Sequence, residues 1–313
     1  MNELYAAPME GLTGWRWRQV HRQIFGGADL YFTPFLSPNA NCNFQTKEKE
    51  EIDPVLNEGL PLVPQILTNQ PEYFLWAAEE CRRRGYFHVN LNLGCPSGTV
   101  TGKKKGSGLL REEPLLRALL DGIFAGLPGE MQVSVKTRTG WDNDENWPRL
   151  LELFGDYPIA RLIVHPRLRT QFYKGEADRV LFEWTAGHTA LPLCYNGDLT
   201  TPEELYAMSA RYPDCPLMVG RGLMADPALL RRAKGGPAAT VEELHSFHDR
   251  LYGLYRRDFS GDVPVLHHMR EMWNHLSQPF QDTDELLRRV RKARSCHEYE
   301  QAVEIFFAFA QLK

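Results

Sequence analysis

At 313 residues and 43% hydrophobic content, the chain has enough apolar side chains for one large core and a smaller one, which excludes a disordered protein. A formal charge of −4 argues against a protein that coats nucleic acid indiscriminately, because such binding rests on many phosphate contacts, yet it leaves room for a local basic groove. No basic start with an apolar run opens the chain and no stretch of about 18 apolar residues follows, so an unexported protein without a membrane span is expected.

Short apolar runs alternate with helical segments up to about residue 235, the pattern of repeated βα units. The expected strands are Leu4–Ala7, Leu30–Phe32, Leu62–Pro64, Val89–Leu91, Val133–Val135, Leu162–Val164, Leu191–Cys194 and Leu217–Val219, eight in all. Between them the expected helices are Trp15–Phe25, Pro71–Arg84, Glu113–Ala125, Trp147–Phe154, Ala177–Thr185, Pro202–Arg211 and Pro227–Ala233, several with proline in the first turn. Thr46–Glu58 is charged, contains Pro54 and carries no assignment. Eight such units without a G-x-G-x-x-G after the first strand fit a closed (β/α)8 TIM barrel better than an open doubly wound sheet. Lys234–Thr240 then breaks the pattern, and residues 241–313 read as a small all-helical domain with helices at Val241–Tyr255, Val265–Leu276, Thr283–Arg294 and Glu298–Gln311. Six of the ten histidines fall there without zinc spacing and read mostly as surface or capping residues.

A barrel places its active site where the strands end, and polar or backbone-permissive residues follow every apolar run. They are Pro8-Met9-Glu10-Gly11, Thr33, Gln65, Asn92, Lys136, His165, Asn196-Gly197-Asp198 and Gly220-Arg221-Gly222. Each alone has an ordinary explanation as a turn, a cap or a satisfied polar group. The last two sets look like a phosphate grip, since glycine lets backbone amides approach an anion and barrels often hold phosphate after strands seven and eight. Lys136 and His165 would aim cationic or donor groups at the mouth, with buried ion pairs as the alternative. Cys95, between Gly94 and Pro96 at the mouth, suits proton transfer or nucleophilic chemistry better than a core role. The six cysteines form no C-x-x-C pair and no ligand cluster, which predicts a reducing cytoplasm and no metal.

These residues resemble the motifs of the tRNA-dihydrouridine synthases, flavoenzymes that reduce the C5–C6 double bond of uridines. The resemblance is carried by Ala7-Pro8-Met9-Glu10-Gly11, Gln65, Asn92-Leu93-Gly94-Cys95-Pro96 with Gly106–Leu110, Val135-Lys136-Thr137-Arg138, Val164-His165-Pro166-Arg167, Asn196-Gly197-Asp198 and Val219-Gly220-Arg221-Gly222, in that order over nearly the whole barrel. It implies FMN across the mouth, with Pro8, Met9, Glu10 and Gln65 around the ring, Lys136 and His165 at its polar edge, and Asn196, Gly197, Asp198, Gly220 and Arg221 at its phosphate. It further implies NADPH as hydride donor, a uracil flipped from tRNA and touched by Asn92 and Arg138, and Cys95 as the acid that protonates C5. Two departures stand out: Asn90 where the family commonly has Asp, and His165-Pro166-Arg167-Leu168 where it often reads His-Gly-Arg-Thr. Residues 241–313 take the place of the family's tRNA-gripping helices, with Arg288–Arg294 as the candidate phosphate contact and Arg82–Arg84 and Lys103–Lys105 as further basic runs. A monomer is expected. The competing readings are an FMN enzyme acting on a free pyrimidine and a non-catalytic flavin-containing RNA-binding module.

Overall fold

The computed structural model describes all 313 residues. The strands are β1 (Leu4–Ala6), β2 (Leu30–Phe32), β3 (Leu62–Val63), β4 (Gln65–Ile66), β5 (His88–Leu93), β6 (Gln132–Gly140), β7 (Arg161–Leu168), β8 (Leu193–Tyr195), β9 (Leu217–Val219), β10 (Phe280–Gln281) and β11 (Gln311–Leu312). The helices are α1 (Trp15–Ile24), α2 (Thr46–Glu51), α3 (Pro71–Arg83), α4 (Gly98–Thr101), α5 (Glu113–Gly126), α6 (Trp147–Gly155), α7 (Arg179–Gly187), α8 (Pro202–Arg211), α9 (Arg221–Ala225), α10 (Leu229–Ala233), α11 (Val241–Asp258), α12 (Asp262–Leu276), α13 (Asp284–Lys292) and α14 (Cys296–Phe309).

The first nine strands are all parallel in the order β3-β2-β1-β9-β8-β7-β6-β5-β4. β3 and β4 stand at opposite ends of that order yet are joined through Pro64 alone, so together they are one barrel strand that closes the ring. Proline has no N–H to give to a ladder, which is why the strand is interrupted there while its carbonyl still accepts the Asn90 amide at 2.8 Å. The eight expected strands are therefore the eight staves of the barrel. β6 and β7 run further toward the mouth than expected, because pairing continues through Asn92 with Lys136 and Arg138 with His165.

Alternate residues of each stave point inward, and the barrel interior is divided by chemistry. Tyr5, Ala7, Phe32, Val63, Ile163, Cys194 and Met218 form a separate apolar plug on one side. On the other side Gln65, Asn90, Asn92 and Ser134 are buried and hydrogen-bonded to one another.

α11 to α14 follow the barrel with the expected positions, and a single hydrophobic core of 70 residues runs from the barrel helices into them. The segment is not wholly helical: β10 and β11 pair antiparallel, Phe280 opposite Leu312, which pins the end of the chain beside the start of α13. α2 and α9 are likewise real helices outside the expected set. His248 corrects the surface reading of the histidines, since it is buried and bonded to Tyr299 Oη at 2.6 Å. It falls on the same face as Leu244, Phe247, Leu251 and Tyr255, all buried on α11.

Candidate active site

The inward alternation carries the site. Below the mouth lie Ser134, Ile163, Cys194 and Met218; two residues further along the same staves stand Lys136, His165, Asn196 and Gly220. These four line a cavity of about 480 Å³ together with Pro8, Met9, Gly197, Asp198 and Arg221. A second cavity of about 530 Å³ shares Pro8, Met9, Lys136, His165 and Tyr173, and is otherwise walled by Glu10, Gln65, Asn92, Cys95 and Arg138. The two are halves of one groove across the mouth, and every residue the resemblance assigned to cofactor, uracil or acid borders it, while Thr33 is buried outside it.

The first half is suited to an anion. The amides of Gly197, Asp198, Arg221 and Gly222 have no acceptor within the protein. Glycine is required at two of these turns: a Cβ on Gly222 would meet the Leu199 carbonyl at 2.1 Å, and one on Gly197 would meet Tyr195 Oη at 2.6 Å. Asp198 does not face the groove as a free acid. It accepts from Arg167 Nη2, from the Ala177 amide at 2.8 Å and from Arg221 Nη2 at 2.8 Å. Burial opposes its charge, but the Arg167 hydrogen bond, the Ala177 amide and the two guanidiniums prevail and hold the carboxyl below its ordinary range. Asp198 thus tethers the two arginines that border the anion-binding turn.

The second half is built around Cys95. Asn92 Oδ1 accepts the amides of Gly94 at 3.1 Å and Cys95 at 2.9 Å, which shapes the turn that presents the thiol. Asn92 Nδ2 donates to Gln65 Oε1 at 2.7 Å, Gln65 Nε2 donates to Asn90 Oδ1 at 2.8 Å, and Asn90 Nδ2 donates to Ser134 Oγ at 2.8 Å. Arg138 spends its guanidinium on the carbonyls of Gly94, Leu168 and Phe172, clamping the Cys95 turn to the loop after β7. Burial pushes the Cys95 thiol up, only partly offset by the Ser97 amide and the nearby cations, so it is protonated at neutral pH.

Between the halves sit a cation and a neutral ring. Lys136 has no carboxylate partner, and burial together with Arg138 lowers its pKa to about 8. Burial, then Lys136, Arg138, Arg167 and Arg221, keep His165 uncharged. Arg167 donates to His165 Nε2 at 3.1 Å, so the ring's proton resides on Nδ1. The neutral ring therefore does not supply the cation that was one of the two alternatives expected of His165. Glu10 pairs with Lys47 at 2.9 Å at the rim and does not enter the groove as a free carboxylate.

Residues to which the sequence reading gave no role also belong here. Arg167 is the buried partner of Asp198, Tyr173 lies between the halves under the guanidinium of Arg221, 4.7 Å away, and His275 and Gln278 reach the groove from α12 and its end. Nothing in the local pattern marks His275 or Gln278, because only the packing of α12 over α9 brings them near. Tyr173 had a weaker signal, one of two adjacent aromatics shortly after a barrel strand.

Fold and site together define a TIM barrel whose mouth carries unpaired backbone amides at one end of a groove and the Cys95 thiol at the other. Residues 5–311 match the family model described as dihydrouridine synthase. A tRNA-dihydrouridine synthase B of Shewanella oneidensis is 30% identical over 81% of this chain and 80% of its own. The Salmonella typhimurium protein of that name is 26% identical over 98% of this chain and 96% of its own. Among solved structures, morphinone reductase superposes with a TM-score of 0.53 at 12% identity, covering 76% of this chain and 87% of that one. The chain belongs to the dihydrouridine synthase family.

Proposed function

We propose that the protein reduces the C5–C6 double bond of specific uridines in tRNA to dihydrouridine, with FMN in the groove and NADPH as the reductant. The observation that carries the reading is a single groove joining unpaired backbone amides at one end to a protonated, positioned Cys95 at the other. The residues fit the cofactor: four free amides and Arg221 suit a phosphate, and Lys136 is a half-buried cation with no carboxylate partner of its own. Pro8, Met9, Gln65, His165, Asn196 and Gly220 would complete its seat.

When bound, FMN supplies the hydride that reaches C6 of the uracil. Cys95 holds at Sγ the proton that goes to C5, so the ring gains two hydrogens and the thiolate left behind regains its proton from solvent. Asn92 fixes the thiol through the turn amides, and Arg138 keeps the loop carrying Tyr173 against that turn. Lys136 places positive charge where negative charge would collect on a reduced ring.

Residues 1–235 would be the catalytic barrel and 241–313 the tRNA-recognition helices. What supports the second assignment is that the side chains of Arg288, Lys292 and Arg294 have no carboxylate partner, whereas Arg82, Arg83 and Arg84 are engaged by Glu79 and Glu80 on their own helix. A monomer in the cytoplasm fits the six unpaired thiols, and no helix is long and apolar enough to cross a membrane. No cluster of His, Cys, Asp and Glu is placed to hold a metal ion.

The test is anaerobic: protein reduced with NADPH is mixed with unmodified tRNA, with free uridine and with uracil, and flavin reoxidation is followed by absorbance. Fast reoxidation by tRNA alone supports the reading. Equal or faster reoxidation by a free pyrimidine replaces it with the small-molecule enzyme.

A further inference from the structure

Beside the groove lies a cavity of about 650 Å³, larger than either of its halves, between the start of α1, α2 and the helices α11 and α12. None of the residues assigned above to FMN, to the thiol turn or to the target uracil borders it. Pro34 lines both this cavity and the Cys95 half of the groove, and the Glu10–Lys47 pair stands with Glu10 on the groove and Lys47 on the cavity. The two spaces are therefore neighbours at the mouth.

Aromatic rings and paired charges share its wall. The rings of Tyr255 and His268 lie 4.9 Å apart at 3°, and those of Phe259 and His268 lie 5.1 Å apart at 10°, so three rings share nearly one orientation. The Arg16 guanidinium stands 4.3 Å from the Trp15 ring and 5.4 Å from Phe259. The charges are cancelled internally: Arg16 pairs with Asp258 at 2.6 Å and with Glu50 at 3.5 Å, Arg257 takes the other oxygen of Asp258, and Arg18 takes Glu51. A phosphate finds no free cation on this wall, because the rim lysine, Lys47, is itself paired with Glu10. A neutral planar group finds aromatic edges and faces from Tyr255, Phe259 and His268 instead.

We infer that this cavity is a second nucleobase site, which takes a base next to the target uridine in the tRNA and stacks it on the Tyr255–His268–Phe259 wall. The inference rests on the tRNA reading above. It gives the unfolding of the tRNA loop a second anchor: one base enters the groove, and its neighbour is held a short distance away instead of restacking. The aromatic wall reads no hydrogen-bond pattern, so it tolerates any base there.

The test combines a protein change with an RNA change. Phe259→Ala and Phe259→Leu are compared with the parent on intact tRNA and on tRNAs carrying an abasic residue immediately 5′ or 3′ of the mapped target. Base–aromatic stacking of ordinary strength predicts that Phe259→Ala raises KM for tRNA roughly 5- to 100-fold with little change in kcat. One of the two abasic tRNAs should show the same loss on the parent enzyme and no further loss on the variant. Additive losses, or a parent enzyme indifferent to both abasic tRNAs, overturn the site; the latter result needs no variant to fold. A raised KM for NADPH in place of tRNA assigns the cavity to the nicotinamide nucleotide and also overturns it. Absence of any dihydrouridine from intact tRNA with the parent would instead refute the reaction itself.

Discussion

Lys136→Met separates what the half-buried cation does for folding from what it does for the cofactor. Its pKa falls from 10.5 to about 8, chiefly through burial and then through Arg138, so the folded protein disfavours the charged form. At roughly 1.4 kcal/mol per pH unit, that difference is a cost of about 3 kcal/mol at neutral pH in the cofactor-free protein. Methionine fills a similar volume without charge, so the apoprotein variant should be more stable than the parent by about 1–3 kcal/mol at pH 7, after allowance for imperfect packing. The sign with pH is fixed: the cost is fully present below about pH 8 and is relieved as pH rises from there to 10.5, where the unfolded chain still holds the proton that the folded one has lost. The parent should gain stability over that interval and the variant should not, which closes the gap. Urea unfolding of apoprotein at pH 7 and at pH 10 measures this, and flavin retention by gel filtration measures the opposite, functional effect. A variant less stable than the parent at pH 7, or a difference that does not change with pH, would refute the argument.

Cys95→Ala should retain flavin and NADPH oxidation by oxygen while losing tRNA reduction, and the parent's single-turnover rate should fall at alkaline pH only above the ordinary thiol range, because burial raises the thiol that must stay protonated. Asp198→Ala leaves Arg167, whose side chain is 1% exposed, without its carboxylate and should cost about 3 kcal/mol, seen as a melting temperature lower by roughly 5 °C. Because the Asp198 carboxyl is held below its ordinary range, this difference is complete above that range and fades as pH falls through the folded value. Neutralising Arg288, Lys292 and Arg294 together should weaken tRNA binding and flatten its dependence on salt, with NADPH oxidation unchanged, whereas Arg82→Gln with Arg83→Gln should leave affinity as it was.

Most of the barrel could be read in advance, since each stave is short, buried and bounded by glycine, proline or asparagine, and the inward residues two apart along it carry both core and chemistry. What could not be read depends on partners far along the chain. The interruption at Pro64 is local and visible, but that it closes the ring follows only from β2 and β5 pairing on either side. Lys136 and His165 were expected past the strands; parallel pairing with Asn92 and Arg138 extends the strands through them. Asn92 and Arg138 stand out in the sequence as polar residues at a mouth, but the structure shows their hydrogen bonds spent on the Cys95 turn and its neighbouring loop. The β10–β11 pair escaped notice because two residues on each side carry no periodicity. The aromatic cavity behind Pro34 draws its rings from α1, α11 and α12, more than 230 residues apart, so no window of sequence contains it.

The most direct measurement is mass spectrometry of nucleosides from unmodified tRNA after incubation with the protein, FMN and NADPH, alongside Cys95→Ala. A uridine heavier by two hydrogens with the parent, mapped to one or a few positions and absent with the variant, is the predicted result. Unchanged uridine despite bound flavin that NADPH reduces would contradict the proposed reaction, and equal dihydrouridine from the variant would contradict the role given to Cys95.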